Sequence, residues 1–146
     1  MSWIDDGIEE SRKRRERKKL IAENAEGIFN GLWKELLVCI GEAKTKGFQL
    51  ETNGSPSTRV VNLSGRYLKI ALDKEAEKIT VRGSSVDVDF PIDVSPDNVT
   101  HLNYKSKSIS LTEAAKEALR PLLFPELITT EHNGGEAGFF APSSEE

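Results

Sequence analysis

Between Leu20 and Ala43, apolar side chains recur every three or four positions: Ile21, Ala25, Ile28, Phe29, Leu32, Trp33, Leu36, Cys39, Ile40 and Ala43. At about 100° per residue they fall within an arc of roughly 140°. Glu23, Asn24, Glu26, Asn30, Lys34, Glu35 and Glu42 take the other side. The spacing predicts a core-facing amphipathic helix, and Gly47 just beyond it is a stop signal.

After Gly47 the period falls from 3.6 to 2. Phe48 and Leu50 open the alternation, Asn53 to Thr58 reads as a loop, and short runs follow at 59–63, 67–73, 77–83, 86–94, 100–104 and 108–111. The clearest is 86–94, where Val86, Val88, Phe90, Ile92 and Val94 share one face and Asp87, Asp89 and Asp93 the other. Pro91 has no amide hydrogen to give a ladder, which predicts an edge strand or a bend at that position. One-sided alternation with short connections describes an antiparallel meander of five or six strands, buried on one face and wet on the other.

A second helical pattern, Leu111 to Leu123, places Ala114, Ala115, Ala118, Leu119 and Leu122 opposite Lys116, Glu117 and Arg120. Ser110 with Glu113 three residues on forms a capping box, and Pro121 marks where a regular helix is interrupted. Two helices can cover the apolar face of the meander. The expected fold is therefore α+β, a two-layer sandwich of a long N-terminal helix, the antiparallel meander and a C-terminal helix.

Charge changes the picture at both ends. Residues 12–19 hold seven basic side chains, Arg12, Lys13, Arg14, Arg15, Arg17, Lys18 and Lys19, with one acid, in a chain whose formal net charge is −4. The rest is correspondingly acidic. No apolar residue lies between Ile8 and Leu20, so this stretch cannot pack on the core. Glu9 with Lys13, Glu10 with Arg14 and Arg12 with Glu16 are i,i+4 pairs, each contributing about 0.2–0.5 kcal/mol to a helix. Residues 1–19 are accordingly expected to be a charged helical extension of a domain at 20–128. Residues 129–146, rich in Gly, Ser and Glu with Phe139 and Phe140 as exceptions, read as a mobile acidic tail.

At 146 residues, 37% hydrophobic and 30% charged, the chain can bury one core. Its longest apolar run is Leu36 to Ile40, far short of a membrane span, and no apolar leader opens it. With a single cysteine, Cys39, it cannot form an internal disulfide. The expectation is a cytoplasmic protein without a membrane span.

Catalytic machinery has little to draw on. His101 and His132 are far apart in sequence, Cys39 lies on a helix, and no triad or zinc spacing connects them. Asp87 and Asp89 lie about 7 Å apart on one strand face, a start for a hard cation, but no calcium loop completes a cage. Solubility of an exposed sheet face explains them better. The Gly-Ser-Pro-Ser-Thr stretch lacks the Gly-Lys-Ser/Thr ending of a phosphate loop. No cofactor and no metal is called for.

Two surfaces remain. Gly27 and Gly31, one helical turn apart on the polar side of the long helix with Val38, each cost about 1 kcal/mol relative to alanine. They mark either a kink or a close contact with the C-terminal helix or a second copy of the chain. The basic stretch is a solvated helix end, a contact for an acidic partner, or a phosphate-binding arm. It has no aromatic interleaving for stacking bases, and only Trp3, Ile4 and Ile8 precede it for a membrane surface. The reading that fits best is a non-catalytic interaction module that binds protein, self-association included. The alternative is a nucleic-acid-associated protein gripping phosphates with residues 12–19. An enzyme would need a pocket between sheet and helices.

Overall fold

The computed structural model describes residues 2–84 and 86–127. Its elements run α1 (Trp3–Thr45), β1 (Leu50–Ser55), β2 (Thr58–Leu63), β3 (Arg66–Asp73), β4 (Lys78–Gly83), β5 (Asp87–Val94), β6 (Thr100–Tyr104), β7 (Lys107–Ile109), α2 (Leu111–Leu123) and a 3-10 turn, Pro125–Leu127. The strands form a single antiparallel sheet in chain order, β1 through β7. The fold is the expected α+β arrangement, with seven strands rather than five or six. The expected tail at 129–146, with His132, Phe139 and Phe140, lies outside the described residues.

The additional strand pairing comes from the first hairpin. Asn53, Gly54 and Ser55 belong to β1 and pair with Val60, Arg59 and Thr58, so the expected loop shrinks to Pro56 and Ser57. Apolar alternation could not show this, because everything in β1 after Leu50 is exposed. Gly54 is required there: at φ +132° a Cβ would collide with the Thr58 carbonyl oxygen. Two other hairpins close with both turn residues at positive φ, Ser64 and Gly65 before β3 and Lys105 and Ser106 before β7. Such turns have the twist that right-handed strands need for immediate reversal.

Pro91 sits at neither edge, since β5 lies between β4 and β6. It is nonetheless where pairing changes hands. β4 pairs with β5 as far as Lys78↔Pro91, and β6 begins at Ile92↔Leu102. The missing amide hydrogen thus falls where no ladder bond is needed.

Both helices cover one face of the sheet. Phe29, Leu32, Leu36 and Ile40 of α1 and Ala114, Ala118 and Leu122 of α2 join Val61, Leu68, Ile70, Ile79, Val81, Phe90, Ile92 and Leu102 in one buried core. Ser110 caps α2, its hydroxyl accepting from the Glu113 amide at 3.1 Å. At the far end the Arg66 guanidinium donates to the Leu122 carbonyl at 2.8 Å, satisfying one of the oxygens a helix C-terminus leaves open. α1 ends at Thr45 with Lys46 as its C-cap, and Gly47 at φ +104° turns the chain toward β1.

Candidate functional site

α1 is longer than the sheet it covers. It is a single helix of 43 residues, yet its first buried residue is Ile21, and every residue from Ser2 to Lys19 is exposed. The charged stretch is therefore helical and continuous with the core helix. At 1.5 Å per residue, the part before Leu20 projects about 25 Å. The Ser2 hydroxyl caps it by accepting from the Asp5 amide, and Asp5 and Asp6 in the first turn favour the positive end of the helix dipole.

The arm is fastened at its root. The two terminal nitrogens of Arg17 bridge Glu77, in the turn between β3 and β4, at 3.4 Å and Asp93 of β5 at 2.8 Å. Asp93 also accepts from the Val94 amide and from Asn103. The Arg17 guanidinium, seconded by that amide, holds the Asp93 carboxyl below the usual aspartate range. Lys74 of the same turn pairs with Glu26 of α1. Both contacts lock the helix to one end of the sheet.

The ion pairs sort the seven expected cations into two groups. Arg12 is held by Glu9 and Glu16, Arg14 by Glu10, and Arg17 by Glu77 and Asp93. Glu9 therefore pairs with Arg12 rather than with Lys13, while the other two expected pairs form. Lys13, Arg15, Lys18 and Lys19 make no ion pair among the described residues, Arg15 donating instead to the Ser11 hydroxyl. Three of these four, Arg15, Lys18 and Lys19, share a side of the helix with Ile4 and Ile8, while Asp6, Glu9 and Glu16 lie on the other side and Asp5 at its margin. Pairing and helical phase together give the arm a basic and apolar underside and an acidic back.

Shallow, open hollows lie along that underside. One hollow of about 400 Å³ is lined by Trp3, Ile4, Gly7, Ile8, Ser11 and Arg15. The next, about 390 Å³, lies in the corner between the arm and the turn at Lys74–Glu77, with Ile21, Ala22 and Ala25 as its floor and Arg15, Lys18 and Lys19 along its rim. Trp3 is 82% exposed, Ile8 62% and Ile4 54%. Ile4 and Ile8 are in phase with Arg15 and Lys18, which the 3.6 period encodes, and Trp3 joins them by lining the same hollow.

Gly27, Gly31 and Val38 share one side of α1 but differ in what faces them within the chain. A Cβ on Gly31 would come within 2.7 Å of the Leu111 side chain at the start of α2, whereas one on Gly27 would meet nothing within 4 Å. Val38 is 67% exposed. Among the described residues Gly31 faces α2, where Thr112 donates to Glu35 nearby, while Gly27 and Val38 are open to solvent.

On the wet face of the sheet, Asp89 bonds Lys78 at 2.9 Å and Arg82 at 2.8 Å, and Asp87 pairs with Arg82. Lys78 and then Arg82 hold Asp89 below its usual range. Both aspartates are occupied by cations of the neighbouring strand. No group of three or more His, Cys, Asp and Glu side chains among the described residues is placed to hold a metal ion. His101 is half-buried opposite Asp93. Cys39 lines a groove of about 280 Å³ between the C-terminal half of α1 and α2, floored by Ala43, Phe48, Leu119, Leu123 and Phe124. Burial pushes its thiol up, away from the thiolate that chemistry would need. No helix among the described residues is long and apolar enough to cross a membrane.

Compared with protein-family models, curated proteins and solved structures, the chain matches none of them. The arm's geometry is therefore the main guide to function.

Proposed function

We propose that the chain is a non-catalytic interaction module that binds protein through the arm of α1, self-association included. The observation that carries this reading is the meeting of exposed Trp3, Ile4 and Ile8 with the unpaired cations Arg15, Lys18 and Lys19 on one side of a helix fastened at its root. A solvated helix end has no use for a tryptophan and two isoleucines in neighbouring turns. Contiguous exposed apolar side chains rimmed by charge fit a protein contact, and an amphipathic helix laid along a groove is a common form of it.

A nucleic-acid reading draws on Lys13, Arg15, Lys18 and Lys19, the four cations free to meet phosphates. Against it, Asp5, Asp6, Glu9 and Glu10 stand at the tip, and the domain at 20–128 adds no basic surplus, with 15 acids against 13 lysines and arginines. A phosphate backbone would meet that negative charge along with the positive.

Photo-cross-linking separates the two. An Ile8→p-benzoylphenylalanine chain is irradiated in cells beside an Asp6→p-benzoylphenylalanine chain, which carries the probe on the acidic back. Discrete protein adducts from position 8 alone are expected. Protease-resistant nucleic-acid adducts would put the second reading first, and no adduct from either position would remove the arm as the docking element.

A further inference from the structure

Along its axis the arm is a charge gradient that is complementary to itself when reversed. Its first two turns hold Asp5, Asp6, Glu9 and Glu10, and the next two hold the seven cations with Glu16. Two arms side by side in the same direction would set acid against acid and base against base. Turned end for end, they set Asp5, the acid at the margin of the underside, beside the basic root of the other arm, while Asp6, Glu9 and Glu10 face away from the contact.

The underside carries a second regularity. Ile4, Ile8, Ser11, Arg15 and Lys18 follow one another at spacings of four, three, four and three, the seam of a helix pair. The same seam continues into the body through exposed Ala22 to Ala25, Phe29 and Leu32, which are buried in the core. In the arm the described residues leave it open.

Building on the protein-binding reading above, we infer that the arm's partner is a second copy of this chain, the two arms packed antiparallel about a two-fold axis near Ser11. Each tip, with Trp3 and Ile4, lies over the aliphatic stems of Lys18 and Lys19 at the corner of the other copy. Ile8 packs on the aliphatic stem of the opposing Arg15, and Asp5 faces the opposing Lys19. The lengths agree: the free underside ends where the turn at Lys74–Glu77 closes the corner, and the opposing helix ends there too, at its Ser2 cap. An isologous contact of this kind closes on itself, which yields a dimer and not a chain of copies. Polar Ser11, Arg15 and Lys18 in the seam fix direction and register while lowering affinity, so the dimer is reversible.

Disulfide trapping in the full chain tests the direction as well as the contact. Cys39→Ser removes the native thiol, and a single cysteine is then placed by Ser11→Cys or by Lys18→Cys, both at exposed positions of the arm. In the antiparallel pair the two residues at 11 meet, whereas the two at 18 lie about 21 Å apart along the axis, beyond the roughly 7 Å that a disulfide can span. Under mild oxidation the Ser11→Cys chain is expected to dimerise at least tenfold faster than the Lys18→Cys chain. Adding Ile4→Ser and Ile8→Ser should abolish that advantage, and sedimentation of the unmodified protein should show a monomer–dimer equilibrium. Fast trapping at both positions means parallel arms and overturns the inference. Slow trapping at both, with a monomer at every concentration, overturns it as well. In that event a foreign protein captured from Ile8 would leave the binding reading standing, and no capture would end both.

Discussion

Arg17 of α1 and Asp93 of β5 stand 76 positions apart in sequence and 2.8 Å apart in the fold. Their contact marks where α1 leaves the body: from Ile21 onward its apolar face is in the core, and before Arg17 the helix stands in solvent. One cation of the basic stretch is thereby withdrawn from any partner and used to aim the others.

The pair makes stability depend on acid. Asp93 is held below its ordinary value near 3.8 by the Arg17 hydrogen bond first and the Val94 amide second. A carboxyl depressed in the native state stabilises it fully above the unfolded pKa, and loses that contribution as pH falls through the lower native one. Both side chains are more than a third exposed, so the contribution is about 0.2–1 kcal/mol. Urea unfolding at pH 5, 3 and 2 should show the wild type losing that much more between the extremes than Asp93→Asn, which has no such proton to gain. Equal losses in the two proteins would remove the linkage.

The two helix glycines should respond in opposite ways. Gly27 faces open space, so Gly27→Ala gains helix propensity of about 0.8–1 kcal/mol and raises Tm by about 2–4 °C. Gly31 is under Leu111. Gly31→Leu must displace that side chain and should cost about 1–3 kcal/mol, whereas Gly27→Leu should cost nothing measurable. Thermal melts of the variants check this, and an unchanged Tm for Gly31→Leu would mean that α2 does not rest there.

Each end of α2 depends on one side chain. Ser110→Ala removes the N-cap at a cost of about 1 kcal/mol. Arg66→Ala removes a charge-assisted bond and leaves the Leu122 carbonyl without it, about 1.5–3 kcal/mol. The two sites are at opposite ends of a 13-residue helix, roughly 20 Å at 1.5 Å per residue, so the double variant should lose the sum within about 0.5 kcal/mol. Chemical denaturation of the three variants measures it. A shortfall well beyond that margin would show that the helix ends are coupled.

Most of the fold was legible because its core obeys one period at a time. Ile21 to Ala43 could only be one face of a helix, Ser110 and Glu113 marked the start of α2 to the residue, and Val86 to Val94 alternated without interruption until Pro91. What escaped was structure without burial. Residues 51–55 pair through backbone alone, so their side chains recorded nothing, and the first hairpin was lost to a loop. The arm shows a related limit. Its basic residues were plain, but which cations stay free depends on Glu77 and Asp93 arriving from the sheet, and no local spacing reports a contact across 60 or 76 positions. The underside formed by Ile4, Ile8, Arg15 and Lys18 was present in the helical phase, hidden because the charges were counted as a block.

The same partition of cations governs what the arm can do with nucleic acid. Counterion release gives a log–log salt slope of about −0.9 per phosphate neutralised on duplex DNA. Of the seven, Lys13, Arg15, Lys18 and Lys19 make no ion pair among the described residues, which sets a slope of about −4; using all seven would require breaking the bonds to Glu9, Glu10, Glu16, Glu77 and Asp93 and would approach −6. Anisotropy of a labelled duplex across a salt series should therefore show weak, shallow binding that is gone at physiological salt. Neutralising the tip by Asp5→Asn, Asp6→Asn, Glu9→Gln and Glu10→Gln should strengthen it at least tenfold at low salt, because those changes remove repulsion and release Arg12 and Arg14 together. A slope near −6 in the unmodified chain, with binding retained at physiological salt, would show that phosphates outcompete the carboxylates for the paired arginines. The arm would then be a phosphate clamp whose acids serve only to hold its cations in place until a nucleic acid arrives.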